Sequence, residues 1–196
     1  VTPFGAFLDW GLPKDLLVPK ALQKFPFYVG MKVVVRVCLD DESGRIIGSQ
    51  KYNDDLSKDL KSLKLKQEVN LLVRERTPLG FKVIVNNLYD GMIFHNEIFE
   101  SIEVGDEKKG FIKTLRPDGK LDIILQPVGE KSDEFAMQKV LELLSLTGGA
   151  SELHYKSEPE AISQVLGLSR KAFKRALTKL IEAKKIEVTL EGMRLL

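Results

Sequence analysis

Thr2-Pro3-Phe4-Gly5-Ala6-Phe7-Leu8 returns in shortened form as Thr77-Pro78-Leu79-Gly80-Phe81, 75 residues later. The same offset carries Gly30 to Gly105 and Ser43-Gly44-Arg45-Ile46 to Asp118-Gly119-Lys120-Leu121. Between these anchors one residue is gained, Asn86-Asn87 against Gly11, and one is lost before Gly105. Turn signals held in register over such a distance describe one fold used twice. A solenoid would need three or more shorter units, so the repeat is a pair of domains.

Each copy reads as short strands between turns. In the first, Phe4–Trp10, Leu16–Val18, Val33–Leu39 and Arg45–Lys51 are strand-like, and Asp40-Asp41-Glu42-Ser43-Gly44 is a hairpin turn. The second adds Val69–Arg76 in front of Phe81–Val85, Met92–Phe94, Lys109–Leu115 and Leu121–Gln126. Strands of this size and spacing predict small barrels. The first copy lacks the counterpart of Val69–Arg76, and the chain opens on Val rather than Met. Both features suggest a fragment of a longer protein.

Residues 52–67 place Leu56, Leu60, Leu63 and Leu65 near helical spacing and read as a short helical connector. After Gln126-Pro127 the period changes from two to 3.6. Ser132 is read as the cap of a first helix that Gly148-Gly149 stops. Ser157-Glu158-Pro159-Glu160 is read as a capping box opening a second helix that ends at Gly167. Ser169 caps a third, running from Arg170 to about Lys184. Ile186–Leu190, Glu191-Gly192 and Met193–Leu196 form a hairpin, and three helices before a hairpin describe a winged helix.

The expected fold is therefore multidomain, β plus α. A barrel spans 1–51, the connector 52–67, a second and degenerate barrel 68–128, and the winged helix 131–196.

The bulk numbers constrain function by exclusion. Thirty basic side chains against 28 acidic ones give a formal charge of +2, so any attraction for a polyanion must be local. No apolar run is long enough for a membrane span and no secretory signal opens the chain, so a cytoplasmic protein without membrane partners is expected. Cys38 is the single cysteine and is read as a small buried hydrophobe.

His95 and His154 are the only histidines, and neither has companions at metal-ligand spacing. No phosphate loop or nucleophile motif is present. Asp40-Asp41 and Asp54-Asp55 fall in a turn and a connector, where solvated charge is the ordinary explanation. No enzyme, no metal and no cofactor are expected.

Two places cluster rings with cations. Phe4 and Phe7 flank Gly5-Ala6, and a bulge at Gly5 would turn both rings to one side. Arg36 and Arg45 lie on strands expected alongside. Aromatic rings among arginines on a barrel face stack bases and hold phosphates. In the third helix Arg170, Lys171, Lys174, Arg175 and Lys179 share one half of the wheel. That is the pattern of a recognition helix in a groove and also of a solvated lysine-rich face, so DNA, RNA and protein partners all stay open.

In the second copy Leu79 replaces Phe4, Lys82 replaces Phe7, and Phe81 has changed parity. Eight basic side chains face nine acidic ones between residues 69 and 126. A structural or protein-contacting role is expected there, with weaker RNA contact through Phe94, His95 and Lys113.

Phe4-Gly5-Ala6-Phe7-Leu8, Asp15-Leu16-Leu17-Val18, Gly30-Met31-Lys32-Val33 and Ser43-Gly44-Arg45-Ile46 resemble, in order and spacing, the S1 RNA-binding domain. That resemblance implies an OB-fold barrel binding single-stranded RNA through Phe4, Phe7, Arg36 and Arg45. S1 domains often carry a His where Pro19 stands here. Two such barrels followed by Gly167-Leu168-Ser169-Arg170-Lys171-Ala172-Phe173-Lys174 are similar to the bacterial conserved virulence factor B family. The likeness implies a third S1 domain upstream and a role in RNA-linked control of gene expression. The alternatives are an interaction scaffold and a DNA-binding regulator acting through the winged helix.

Overall fold

The computed structural model describes residues 1–127 and 130–196. Its centre is a closed barrel of five strands, β5 (Glu68–Thr77), β6 (Gly80–Val85), β7 (Tyr89–Phe94), β8 (Glu107–Leu115) and β9 (Leu121–Ile124). They run in the order β5-β6-β7-β9-β8, with β8 returning to β5. All neighbours are antiparallel except β7 and β9, whose parallel ladder starts at Gly91 and Leu121. Alternate residues face inward, and Val69, Leu71, Val73, Val83, Val85, Ile93, Ile112, Leu121 and Ile123 fill the interior. Asn86 and Asn87 turn β6 into β7 with φ of 50° and 56°, a left-handed pair suited to asparagine.

The preceding residues repeat four of these five strands. β1 (Gly5–Leu8) pairs with β2 (Leu16–Pro19), and β3 (Arg36–Leu39) pairs with β4 (Ile46–Ser49). Gly5 faces Pro19 as Gly80 faces Phe94, and Leu8 faces Leu16 as Val83 faces Gly91. Arg36 faces Ser49 as Phe111 faces Ile124. Even the turn bonds recur: Thr2 Oγ1 donates to Gly5 O at 2.8 Å, and Thr77 Oγ1 donates to Gly80 O at 3.0 Å. An offset of 75 holds at every one of these pairs, so the gain and loss expected from Asn86-Asn87 and Gly105 do not occur.

The first copy is not a closed barrel. Its strands form two two-stranded sheets, and nothing among the described residues takes the place of β5. The consequences are local and physical. β8 pairs with β5 from Leu72↔Glu107 to Glu68↔Phe111, and the equivalent stretch Lys32–Arg36 has no strand to receive its hydrogen bonds. β3 accordingly begins at Arg36 and not at Val33. Val37 is 48% exposed, whereas its counterpart Ile112 is fully buried. Cys38 on the same strand is only half-buried, against the expectation of a core position.

Residues 52–67 contain no α-helix. Asn53–Asp55 is a single 3₁₀ turn, and Ser57 bridges to Tyr89. Side chains capture the backbone that a helix would need: Ser57 Oγ accepts from Asp59 N, Asp59 Oδ1 from Lys61 N, and Gln67 Oε1 from Lys64 N. The leucine spacing serves the barrel instead, with Leu63 buried in its core and Leu60 packed against it.

The C-terminal domain is built from α1 (Glu130–Leu146), α2 (Pro159–Leu166) and α3 (Arg170–Glu182) around Val140, Leu144, Ile162, Leu168, Phe173, Leu177 and Leu180. Its hairpin, β11 (Ile186–Val188) and β12 (Met193–Leu195), gains a third strand, β10 (Ala150–Ser151), along β12. Helix α1 starts before Ser132, so Ser132 is not its cap; the turn that opens it lies outside the described residues. Pro159 occupies the first turn of α2, where its missing N–H costs nothing, and Glu158 holds the cap position. Ser157 therefore makes no capping box, and its hydroxyl accepts from His154 N instead. Ser169 does cap α3, accepting from Ala172 N at 3.2 Å.

Candidate nucleic-acid interface

Gly5 is required where it stands: a Cβ there would lie 2.5 Å from Val18 O. The β1–β2 register is unbroken, so no bulge is present. Phe4 and Phe7 reach the same side for another reason. Phe4 lies in a bend just before β1, while Phe7 points outward opposite Leu17 and Ala6 points into the core. The rings meet edge to face with centroids 6.1 Å apart, and they remain 61% and 46% exposed. Lys20 donates its amide to Phe4 O at 2.9 Å, and Lys20 is itself exposed. The repeat offset, which aligns Lys20 with His95, carried that signal, but the sequence reading passed over it.

The arginines are not brought to the rings. Arg36 forms an ion pair with Asp55 of the connector. Arg45 is exposed at the tip of the β3–β4 hairpin, where its carbonyl accepts from Asp40 N. Hydrogen bonds from the Ser43 hydroxyl and amide, helped by the nearby Arg45 charge, hold the Asp40 carboxyl below its ordinary range.

The second barrel offers a different surface. Phe81 is buried in the core, and Lys82 stands on the outer face paired with Glu75 at 3.0 Å. Leu79 is exposed where Phe4 was. Phe94 is half-buried. The His95 ring packs edge-on to Phe81 at 6.0 Å, with Nε2 3.3 Å from Thr77 O. Lys113 is held by Glu97. Lys108, Lys109, Arg116 and Lys120 also meet carboxylates, on Glu100, Glu68, Asp118 and Asp122. Of the expected contacts here, His95 and Lys113 are thus already engaged within the barrel.

Arg74 joins the two copies. It is buried against the connector, donating to Asn53 Oδ1 and Asp90 Oδ1, each at 2.7 Å, and its guanidinium lies 5.7 Å from the Tyr52 ring centre. Lys24 of the first copy approaches the same ring at 5.2 Å and donates to Asn53 as well. Burial and then the Arg74 charge push the Lys24 amine down, and burial pushes the Tyr52 phenol up.

On α3, Arg170, Lys171 and Lys174 are exposed. Arg175 and Lys179 instead clasp Asp133 of α1 at 2.7 and 2.9 Å. Those two bonds, Arg175 foremost, hold the Asp133 carboxyl below its ordinary range. The wing carries no surplus of cations: Arg194 pairs with Glu187, and the tip is Thr189-Leu190-Glu191-Gly192.

Residues 138–195 match the family described as the CvfB-like winged helix domain. The chain is 27% identical over 199 residues to uncharacterized protein YitL of Bacillus subtilis, covering 95% of this chain and 64% of that protein. It is 26% identical over 204 residues to conserved virulence factor B of Staphylococcus haemolyticus, covering 96% and 68%. The chain thus resembles conserved virulence factor B over nearly its whole length, and residues 138–195 carry the likeness to the CvfB-like winged helix domain. It spans 64% of the length of the Bacillus protein.

Among solved structures, a multidomain protein with nucleic acid binding domains from Streptococcus pneumoniae is 25% identical to this chain. The match covers 98% of this chain and 71% of that one, with a TM-score of 0.39. No metal-binding group of acidic, His or Cys side chains occurs among the described residues, and no described helix is long and apolar enough to cross a membrane.

Proposed function

We propose that the chain is an RNA-binding regulator that holds single-stranded RNA on the Phe4–Phe7 face of its first copy, with the winged helix adding phosphate contacts. In this reading residues 1–51 are an S1-type unit standing open for want of one strand, and residues 68–128 are a second S1-type barrel used as a rigid support. The observation that carries it is the pair of exposed, mutually packed rings of Phe4 and Phe7, for which the second copy has no equivalent. Exposed rings stack on any base, which gives affinity without sequence readout. A role in gene expression follows from RNA binding in this reading, and a relative of 26% identity is named conserved virulence factor B.

The DNA-binding alternative is weakened by charge. With Arg175 and Lys179 committed to Asp133 and the wing tip lacking cations, α3 keeps only its first turns for phosphates. The scaffold reading draws support from the self-paired surface of the second barrel.

A titration of labelled single-stranded RNA at several salt concentrations tests the proposal. Each phosphate neutralised on a single strand contributes about −0.7 to the slope of log K on log salt. With Arg36 held by Asp55, Lys20 and Arg45 then give roughly −1.4, and Arg170, Lys171 and Lys174 raise it to roughly −3.5. Deletion of residues 131–196 returns the slope to the lower value. An unchanged slope removes the winged helix from the interface, and no binding at low salt leaves the scaffold reading.

A further inference from the structure

One side of α1 carries an apolar stripe that stays in contact with water. Glu134, Met137, Leu141, Ser145 and Leu146 recur there at helical spacing and line, with Lys185, a groove of about 600 Å³. Met137 and Leu141 are half-buried, resting one edge on the core of the domain. Leu146 is 86% exposed. Contiguous apolar surface rimmed by charge marks a contact site.

The two ends of the stripe differ in sign. Glu134 stands near the start of α1. Lys185 stands beyond the other end: Leu196 N donates to Lys185 O at 3.1 Å, Leu195 N donates to Gly149 O at 2.8 Å, and Gly149 N donates to Leu144 O at 2.7 Å. The rise of the helix from Glu134 to Leu146 is about 18 Å, so the two charges do not meet within one chain. Neither has an ion pair among the described residues. The remaining polar groups of the groove are engaged: Gln138 Nε2 donates to Glu142 Oε1 at 3.1 Å, and Lys139 lies 3.9 Å from the same carboxylate.

We infer that this stripe is a self-association face, on which two copies of the chain pack α1 against α1, antiparallel, about a two-fold axis near Leu141. A two-fold contact needs a surface complementary to itself, and the antiparallel pair supplies one. Glu134 of each copy falls opposite Lys185 of the other, Met137 opposite Leu146, and Leu141 near its own counterpart. A parallel pair would oppose like charges instead. Ser145, short and exposed, lets the helix axes approach to the usual 8–10 Å. The face is one helix wide, which puts the interface at the small end of specific contacts and makes the association weak. The inference does not rest on what the rings or α3 bind.

Sedimentation velocity of the full chain, from micromolar to millimolar concentration, tests it. The weight-average mass is expected to climb from 22.1 kDa towards twice that value and no further. Leu146→Glu, at a site too exposed to empty the core, is expected to stay monomeric throughout. Glu134→Lys and Lys185→Glu each oppose like charges at both ends of the interface, and each is expected to weaken association about tenfold. Combining the two restores opposite signs and is expected to restore the association. Lys185→Glu and Leu146→Glu lie at or beyond the end of α1 and decide the matter if Glu134→Lys loses helical circular dichroism. A mass of 22.1 kDa at every concentration overturns the inference. So does growth beyond a dimer, association untouched by Leu146→Glu, or a folded double variant as weak as the single ones.

Discussion

The two copies share a register along β1–β2 and β6–β7 and at the start of β3–β4 and β8–β9, up to a bulge after Ile112, yet they present opposite surfaces. In the second, Phe81 turns inward and the outward position holds Lys82, bonded to Glu75. In the first, Ala6 takes the inward place and Phe7 stands out in solvent beside Phe4. A one-position exchange along a strand moves a ring from core to surface because side chains alternate faces. The second copy compensates by filling its barrel and pairing its cations. The first keeps a small core of Ala6, Val18 and Phe27 and leaves its rings free. One fold thus presents paired charges in one copy and an exposed ring pair in the other by trading parity at a single strand.

The largest test of that contrast is energetic. Ile112→Ala should cost about 4 kcal/mol, within the range for emptying a fully packed site. Val37→Ala, at the equivalent place in the open copy, should cost less than about 1 kcal/mol because water already reaches it. Hydrogen exchange along β8 reads the first, and fluorescence of Trp10, the single tryptophan, reads the second. Equal costs would mean that the first copy is packed as fully as the second.

Arg74→Met should come next, at about 3 kcal/mol, since removing one partner of a buried pair strands the other. Asp90 keeps some contact with solvent, which sets the expectation at the low end. Loss of Trp10 and barrel signals together would show that this residue couples the copies; loss of only one would show that they are independent.

The smallest effect concerns the winged helix. Asp133 is held below its ordinary value of 3.8 by Arg175 and Lys179. Its stabilisation is therefore complete above that pH and fades as the pH falls below it. Asp133→Asn should cost about 1 kcal/mol at neutral pH, a figure kept low because both cations are partly exposed. It should also flatten stability against pH between about 2 and 4. Helical circular dichroism follows this directly, as all three α-helices belong to the winged helix. A variant with the wild-type pH profile would show that the clasp is not populated in solution.

Much of this was legible in the sequence because turn residues are local. Gly30, Gly44 and Ser169 do their work within a few positions, so the repeat, the strands and the cap of α3 could be read directly. The connector misled because Leu56, Leu60 and Leu63 have helical spacing but pack outward from an irregular segment onto a barrel, a contact no local pattern encodes. Arg36 and Arg175 were assigned to nucleic acid as free cations. Their carboxylate partners, Asp55 and Asp133, lie far away in sequence and become neighbours only in the fold. Arg74 was missed for the same reason: as one charge in a strand it looked solvated, and only the docked connector buries it.

The central claim is that the first copy, and not the second, carries the RNA-stacking face. Fluorescence anisotropy with labelled single-stranded RNA compares two double variants in the full chain: Phe4→Ala with Phe7→Ala, and Leu79→Ala with Lys82→Ala. Each lost stack should cost about 1–3 kcal/mol of binding, so the first variant should bind at least about fivefold more weakly per ring while melting like the wild type. The second should bind as the wild type does. Undiminished binding by the first variant, or an equal loss in both, would contradict the account.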